Sequence, residues 1–135
     1  MILIDAGYLI AVADARDQLH GRALAWARSW KDSTVVTEYV LLETVNYFSR
    51  IADRARIHAL VAAIRAETRS RVISANPELF DAGLKLHASR PDKEWSLTDC
   101  ISFCVMQEHG IRQALAYDAH FEQAGFEALL RRDPP

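Results

Sequence analysis

Ile2-Leu3-Ile4-Asp5 is a short apolar run that ends in an aspartate, and Ala114-Leu115-Ala116-Tyr117-Asp118 repeats this form near the end of the chain. Such runs predict buried strands, and three more are predicted at residues 34–36, 71–74 and 126–130. Segments of helical periodicity lie between them. They predict helices at residues 8–13, 19–30, 37–50, 53–68, from 76 onward, between 96 and 110, and at 118–124.

The alternation of strands and helices predicts βα crossovers, and therefore a mainly parallel sheet with helices on both faces. In such sheets, ligands bind beyond the carboxyl ends of the strands, where the strand order reverses. The chain has 135 residues and contains neither an internal repeat nor a Gly/Ser-rich linker. We therefore predict a single domain that covers residues 1–135.

The composition excludes several protein classes. Half of the residues are hydrophobic and a quarter are charged, as in a folded globular domain. No apolar run approaches the roughly 20 residues that cross a bilayer, and the first residues lack a basic, apolar secretion signal. The two cysteines, Cys100 and Cys104, are too few for a disulfide framework or a structural zinc site. We expect a cytoplasmic protein without membrane association.

The formal net charge is −2, and thirteen of the sixteen basic residues are arginines. The planar arginine fork suits phosphate binding, but a bias in codon usage explains the excess equally well. Arg131 and Arg132 form a basic tail; contact with phosphate is one interpretation, and a solvated surface is the simpler expectation. His120 lies two residues after Asp118, close enough to approach a substrate, and packing against its helix is the simpler expectation.

Asp5 and Asp118 each follow a predicted strand directly. The carboxyl ends of parallel strands point the same way, so both side chains are expected at one edge of the sheet. An aspartate between a strand and a helix is also a common N-cap, which is the simpler explanation for each residue taken alone.

Two further carboxylates lie on predicted helices. Glu43 is surrounded by apolar residues, which is uncommon for a carboxylate and favours a functional role. An ion pair with Arg50 or a hydrogen bond with Asn46 is the alternative. Asp99 follows Ser96-Leu97-Thr98, a pattern that matches a capping box. The same helical turn can direct Asp99 toward the edge where Asp5 and Asp118 are expected.

Electrostatics decides what such a group of carboxylates requires. Two like charges about 4 Å apart repel by roughly 4 kcal/mol at an effective dielectric constant near 20. Asp5, Glu43, Asp99 and Asp118 therefore cannot all remain ionised at one edge without a compensating charge. Oxygen ligands select Mg²⁺ or Mn²⁺ over Zn²⁺. Ions of this kind activate water for attack on phosphodiesters.

Four motifs together resemble the PIN-domain ribonucleases, and in particular the VapC-type toxins of bacterial toxin–antitoxin pairs. They are Ile-Asp-Ala-Gly-Tyr-Leu (4–9), Leu-Leu-Glu-Thr-Val-Asn (41–46), Trp-Ser-Leu-Thr-Asp-Cys-Ile-Ser-Phe (95–103) and Tyr-Asp-Ala-His-Phe-Glu-Gln-Ala-Gly-Phe (117–126). The resemblance covers nearly the whole chain. It implies a three-layer α/β/α sandwich around a mainly parallel five-stranded sheet in the order 3-2-1-4-5.

The resemblance also implies an activity and partners. It implies an endoribonuclease dependent on Mg²⁺ or Mn²⁺, with catalytic and metal-binding roles for Asp5, Glu43, Asp99 and Asp118. It further implies an RNA substrate cut to leave a 5′-phosphate and a 3′-hydroxyl, a homodimer, and an antitoxin whose tail occupies the site. Many members of the family have Thr or Ser two residues before the last aspartate, where this chain has Ala116.

Two other functions are compatible with these residues. The first is a degenerate PIN-like module that binds RNA or protein without catalysis, for which Ala116 is the best support. The second is phosphotransfer through an aspartyl phosphate at Asp5, which predicts a lysine at a strand end. None of the three lysines directly follows a predicted strand, so this function fits less well.

Overall fold

Five parallel strands form the central sheet of the computed structural model, which describes residues 1–135. The strands are β1 (Ile2–Ile4), β2 (Thr34–Thr37), β3 (Ser70–Ile73), β4 (Gln113–Leu115) and β5 (Glu127–Ala128). The α-helices are α1 (Ala6–Ala13), α2 (His20–Ser29), α3 (Glu38–Tyr47), α4 (Ile51–Ala66), α5 (Pro77–Ser89), α6 (Leu97–His109) and α7 (Ala119–Gln123). No helix combines the length and the apolar character that crossing a bilayer requires.

The strand order is β3-β2-β1-β4-β5, and every neighbouring pair is parallel. This order confirms the predicted fold. β1 lies at the centre, and the chain leaves it on one side for β2 and later returns on its other side as β4. Ile4 pairs with Leu115, so the residues that follow β1 and β4 emerge side by side at the carboxyl edge of the sheet.

Side-chain alternation along β1 divides the interior into two cores. Ile2 and Ile4 are buried with residues of α1, α2 and α3 on one face, whereas Leu3 is buried with residues of α5, α6 and α7 on the other. A strand covered on both faces must be apolar throughout, which explains why β1 carries no polar residue. The sheet and its two helical layers form the predicted three-layer sandwich.

The predicted helix ends are confirmed at the caps and corrected elsewhere. Thr37 and Asn76 accept hydrogen bonds from the first turns of α3 and α5, and Gly110 ends α6 with φ of 65°. α1 begins at Ala6 rather than at residue 8, because Asp5 is already at the N-cap position. α3 ends at Tyr47 rather than at residue 50, and α4 begins at Ile51 rather than at residue 53.

The last two strands are shorter than predicted. β4 ends at Leu115 instead of residue 117, and β5 covers two residues before a 3₁₀ turn at Leu129–Arg131. The turn makes its own contact with the end of β4, because the Leu130 N–H donates to the carbonyl of Ala116 at 3.0 Å. Tyr117 therefore lies outside the sheet and is 46% exposed.

Helices α5 and α6 pack closely at Gly83, and this contact gives a test of the fold. A Cβ atom at Gly83 would collide with Ile101 Cγ1 and lie 3.5 Å from the Ile101 Cα. We expect Gly83→Ala to lower the free energy of unfolding in urea by about 1–3 kcal/mol, as overpacking of a core does. Gly21 in α2 has open space around it, so Gly21→Ala is expected to be neutral or slightly stabilising. Equal stability of the two variants would contradict this packing.

Candidate metal centre

A cleft opens at the carboxyl edge of the sheet, beyond the ends of β1 and β4. Its volume is about 820 Å³. We call it the acidic cleft, because six carboxylates line it. They are Asp5, Asp17, Glu43, Glu94, Asp99 and Asp118. All four carboxylates that the sequence singled out line this cleft, together with Asp17 and Glu94, but only Asp99 and Asp118 of the four belong to the compact group that also contains His120.

Asp5 lies at the bottom of this cleft. Its peptide N–H continues the pairing of β1 with β4 by donating to the Leu115 carbonyl at 3.2 Å, and only 8% of the residue is exposed. Burial raises the pKa of its carboxyl group to about 7, and the charges of Asp99 and Glu43 contribute to the rise. The N–H groups of Ala6 and Gly7 oppose it. The ionised form of Asp5 is therefore unfavourable without a nearby cation.

Glu43 reaches the cleft from α3. This helix buries Val40, Leu41 and Thr44, whereas Glu43 itself is exposed. The apolar surroundings in the sequence therefore do not bury Glu43. Although the residue as a whole is exposed, partial desolvation of its carboxyl group within the cleft and the charge of Asp99 raise its pKa. Neither Arg50 nor Asn46, the alternative partners, is among the causes of this shift.

Asp99 combines two functions at the start of α6. Its N–H donates to Ser96 Oγ at 3.0 Å, and its Oδ2 accepts from the Ser96 N–H at 3.3 Å, which confirms the predicted capping box. The same Oδ2 atom lies 3.0 Å from His120 Nδ1. The carboxylate therefore caps the helix and faces the cleft, so the two explanations for Asp99 are compatible.

Asp118 faces the cleft from the N-cap position of α7. Its Oδ1 accepts from the His120 N–H at 3.1 Å, and its Oδ2 lies 3.4 Å from His120 Nδ1. His120 thus contacts two of the four carboxylates in addition to belonging to the helix. Phe121, the next residue, fills the core instead. The position of His120 in the first helical turn after Asp118 is the sequence signal that indicates its role.

Three donor groups of the cleft lie close enough together to be candidate ligands of one metal ion. One ligand atom each from Asp99, Asp118 and His120 lies within 4.8 Å of the others. Adjacent ligands of an octahedral ion at about 2.1 Å are about 3 Å apart, which resembles the separations of 3.0 and 3.4 Å around His120 Nδ1. The carboxylate oxygens of this group are donors that Mg²⁺ and Mn²⁺ prefer, and His120 Nδ1 lies within hydrogen-bond distance of Asp99 Oδ2.

Comparison with known proteins extends over nearly the whole chain. Residues 2–127 match the family model of the PIN domain. The chain is 33% identical over 127 residues to the 23S rRNA-specific endonuclease VapC20 of Mycobacterium tuberculosis, and the match covers 93% of this chain and 95% of that protein.

Solved structures show the same fold. The crystal structure of M. tuberculosis VapC20, described as a toxin that cleaves the sarcin–ricin loop, superposes with a TM-score of 0.85 at 30% identity and covers 93% of this chain and 96% of its own. A toxin–antitoxin complex from Klebsiella pneumoniae gives 0.63 at 14% identity, with 88% of both chains covered. FitAcB from Neisseria gonorrhoeae gives 0.67 at 14% identity, with 95% of both covered. The last two matches show the fold alone.

Proposed function

The chain belongs to the PIN-domain family and is a homologue of the VapC-type ribonuclease toxins, and on this basis we propose that it is a metal-dependent endoribonuclease and the toxin of a toxin–antitoxin pair. The observation that carries the proposal is the acidic cleft. It is lined by Asp5 just after β1, Glu43 in α3, Asp99 in α6 and Asp118 at the N-cap of α7. The most buried of them, Asp5, is unfavourable in its charged form without a cation.

The residues of the cleft have different roles in the proposed hydrolysis. Asp5, Asp99 and Asp118, with His120 beside them, hold the metal ion, Mg²⁺ or Mn²⁺. When bound, such an ion lowers the pKa of water, orients the scissile phosphate and neutralises its developing charge. We favour Glu43 as the group that accepts the proton of the attacking water. Its raised pKa makes it a better proton acceptor than an ordinary glutamate, and Asp99 is already engaged with Ser96 and His120.

Ribosomal RNA is the first substrate to test, because the chain is 33% identical to an endonuclease named for 23S rRNA. An exposed loop suits the cleft better than a duplex does, since unpaired nucleotides can enter a groove separately. Cleavage is proposed to leave a 5′-phosphate and a 3′-hydroxyl. With this substrate, we propose that the protein acts in the cytoplasm.

Two protein partners complete the proposal. The first is an antitoxin whose tail enters the acidic cleft, where an arginine can replace the metal charge. One structural neighbour is a toxin–antitoxin complex, which supports looking for such a partner. The second is another copy of the chain, supported by the exposed apolar side chains of Leu42 in α3 and of Phe80 and Leu84 in α5.

A cleavage assay with purified protein tests the proposed function. We expect an RNA that carries a ribosomal loop to be cut in the presence of Mg²⁺ or Mn²⁺, and cleavage to stop when a chelator is in excess. Mg²⁺ or Mn²⁺ should restore it, whereas Ca²⁺, with its longer bonds of roughly 2.3–2.6 Å, should not. Cleavage that continues in excess chelator would contradict a metal-dependent mechanism. Binding of the same RNA with no cleavage under any condition would favour the degenerate binding module.

A further inference from the structure

The acidic cleft contains a single arginine or lysine side chain, that of Arg131, against six carboxylates. Arg131 ends the 3₁₀ turn that follows β5. Its guanidinium carbon lies 4.8 Å from the centre of the Tyr117 ring, and its Nε lies 3.3 Å from Glu122 Oε1. The next residue, Arg132, pairs instead with Glu127 and does not line the cleft.

The backbone holds Arg131 and Tyr117 together. The hydrogen bond from the Leu130 N–H to the Ala116 carbonyl joins the residues that immediately precede each of them. Tyr117 in turn directly precedes Asp118, so the stacked pair adjoins the proposed metal ligands. The ring stays 46% exposed beneath the guanidinium. An aromatic surface of this kind at the wall of a polar cleft is available for stacking.

We propose that the Tyr117–Arg131 pair is the nucleotide-binding platform of the acidic cleft, where Arg131 contacts an RNA phosphate and Tyr117 stacks on an unpaired base next to the cut. This inference rests on the proposed function. An RNA strand that enters the cleft meets six carboxylates, and Arg131 is the one arginine or lysine in the lining that can add to the charge of the proposed metal ion in opposing their repulsion. Stacking on an aromatic ring requires a base outside a duplex, so the platform selects single-stranded or looped RNA.

Neighbouring arginines provide a matched pair of variants. We expect Arg131→Gln to raise KM for a single-stranded RNA by roughly tenfold with little change in kcat, whereas Arg132→Gln should resemble the wild type. Removal of one phosphate contact should also reduce the slope of log affinity against log salt concentration by about 0.7. A purely structural role for Arg131 would not change that slope. Arg131→Lys, which keeps the charge, should retain the slope.

Tyrosine variants test the stacking separately. Tyr117→Phe keeps the ring and is expected to bind RNA as the wild type does, whereas Tyr117→Ala should lose roughly tenfold in affinity for single-stranded RNA. Because the ring selects unpaired bases, Tyr117→Ala should also reduce the preference for single-stranded RNA over a duplex of the same sequence. Thermal unfolding of each variant shows whether it is folded.

Binding measured apart from cleavage makes the outcomes distinguishable. Fluorescence anisotropy with the same RNA in Ca²⁺ reports affinity whether or not the protein cleaves. Equal affinities and equal salt slopes for Arg131→Gln and Arg132→Gln would overturn the platform, even if the wild type is an active nuclease. A wild type without metal-dependent cleavage would overturn the proposed function, and the difference in affinity between the two variants would still decide the platform.

Discussion

Asp99→Asn is expected to lower the rate of metal-dependent RNA cleavage by about a thousandfold or more while the protein stays folded. The carboxylate of Asp99 lies beside Asp118 and His120, and its charge acts on both Asp5 and Glu43. Loss of a metal ligand removes several kcal/mol of charge stabilisation, and each ~1.4 kcal/mol corresponds to a factor of ten in rate. The amide oxygen of asparagine can still accept the capping hydrogen bond from Ser96, so the start of α6 is retained.

Asp17→Asn is the matched control for this prediction. Asp17 lines the same cleft, but its Oδ1 accepts from the Leu19 N–H at 2.8 Å, and unlike Asp99 it is not part of the group formed with Asp118 and His120. The substitution removes the same charge from the same cleft, and we expect the rate to change by only a few-fold. Single-turnover kinetics at saturating Mn²⁺ measures both variants. Equal losses would mean that the total charge of the cleft matters rather than the ligand position.

Asp5→Asn is expected to abolish cleavage and, without metal, to remove a pH-dependent loss of stability. The pKa of Asp5 is about 7 in the folded protein and 3.8 for the unperturbed group. The unfolded chain therefore releases this proton at lower pH than the folded protein does. Between pH 4 and pH 7, rising pH destabilises the metal-free wild type by up to about 4 kcal/mol. Below pH 4 this contribution vanishes.

Urea unfolding in excess chelator at pH 4, 5.5 and 7 measures this effect. Other titrating groups affect both proteins, so the informative quantity is the stability of Asp5→Asn minus that of the wild type. We expect this difference to grow with pH, and Mn²⁺ at pH 7 to stabilise the wild type more than the variant. A difference that stays constant from pH 4 to pH 7 would show that ionisation of Asp5 does not destabilise the metal-free protein.

Much of the fold follows from local patterns in the sequence. The apolar run at residues 2–4 and the caps at Thr37, Asn76 and Ser96 are short-range signals, and the structure confirms them. The strand order came from the family resemblance rather than from the patterns, because periodicity does not specify which strands are neighbours. The predicted ends of β4 and β5 are wrong. The hydrogen bond between Leu130 and Ala116 that replaces strand pairing there is a long-range contact, which local patterns do not indicate.

In the candidate site, too, local sequence signals identify some residues, whereas others depend on long-range contacts. Asp5 and Asp118 follow strands that end at one edge, so elementary sheet geometry was enough to bring them together. The apolar sequence around Glu43 predicts a buried carboxylate, whereas the residue is exposed. Its position on α3 beside the cleft, not burial in the core, brings it near the other carboxylates. The sequence favours helix packing for His120 and solvent exposure for Arg131. The contacts of His120 with Asp99 and of Arg131 with Tyr117 are long-range, so they become apparent only when α7 and the 3₁₀ turn are placed beside the cleft.

The central claim is that the carboxylates of the acidic cleft bind a divalent cation, and a crystal soaked in Mn²⁺ tests it most directly. Anomalous diffraction locates manganese independently of any assumption about the residues around it. We expect a peak in the cleft within about 2.2 Å of carboxylate oxygens of Asp5, Asp99 or Asp118, and no such peak in crystals of Asp99→Asn. Manganese bound only elsewhere on the protein, with the cleft carboxylates uncoordinated, would contradict the claim.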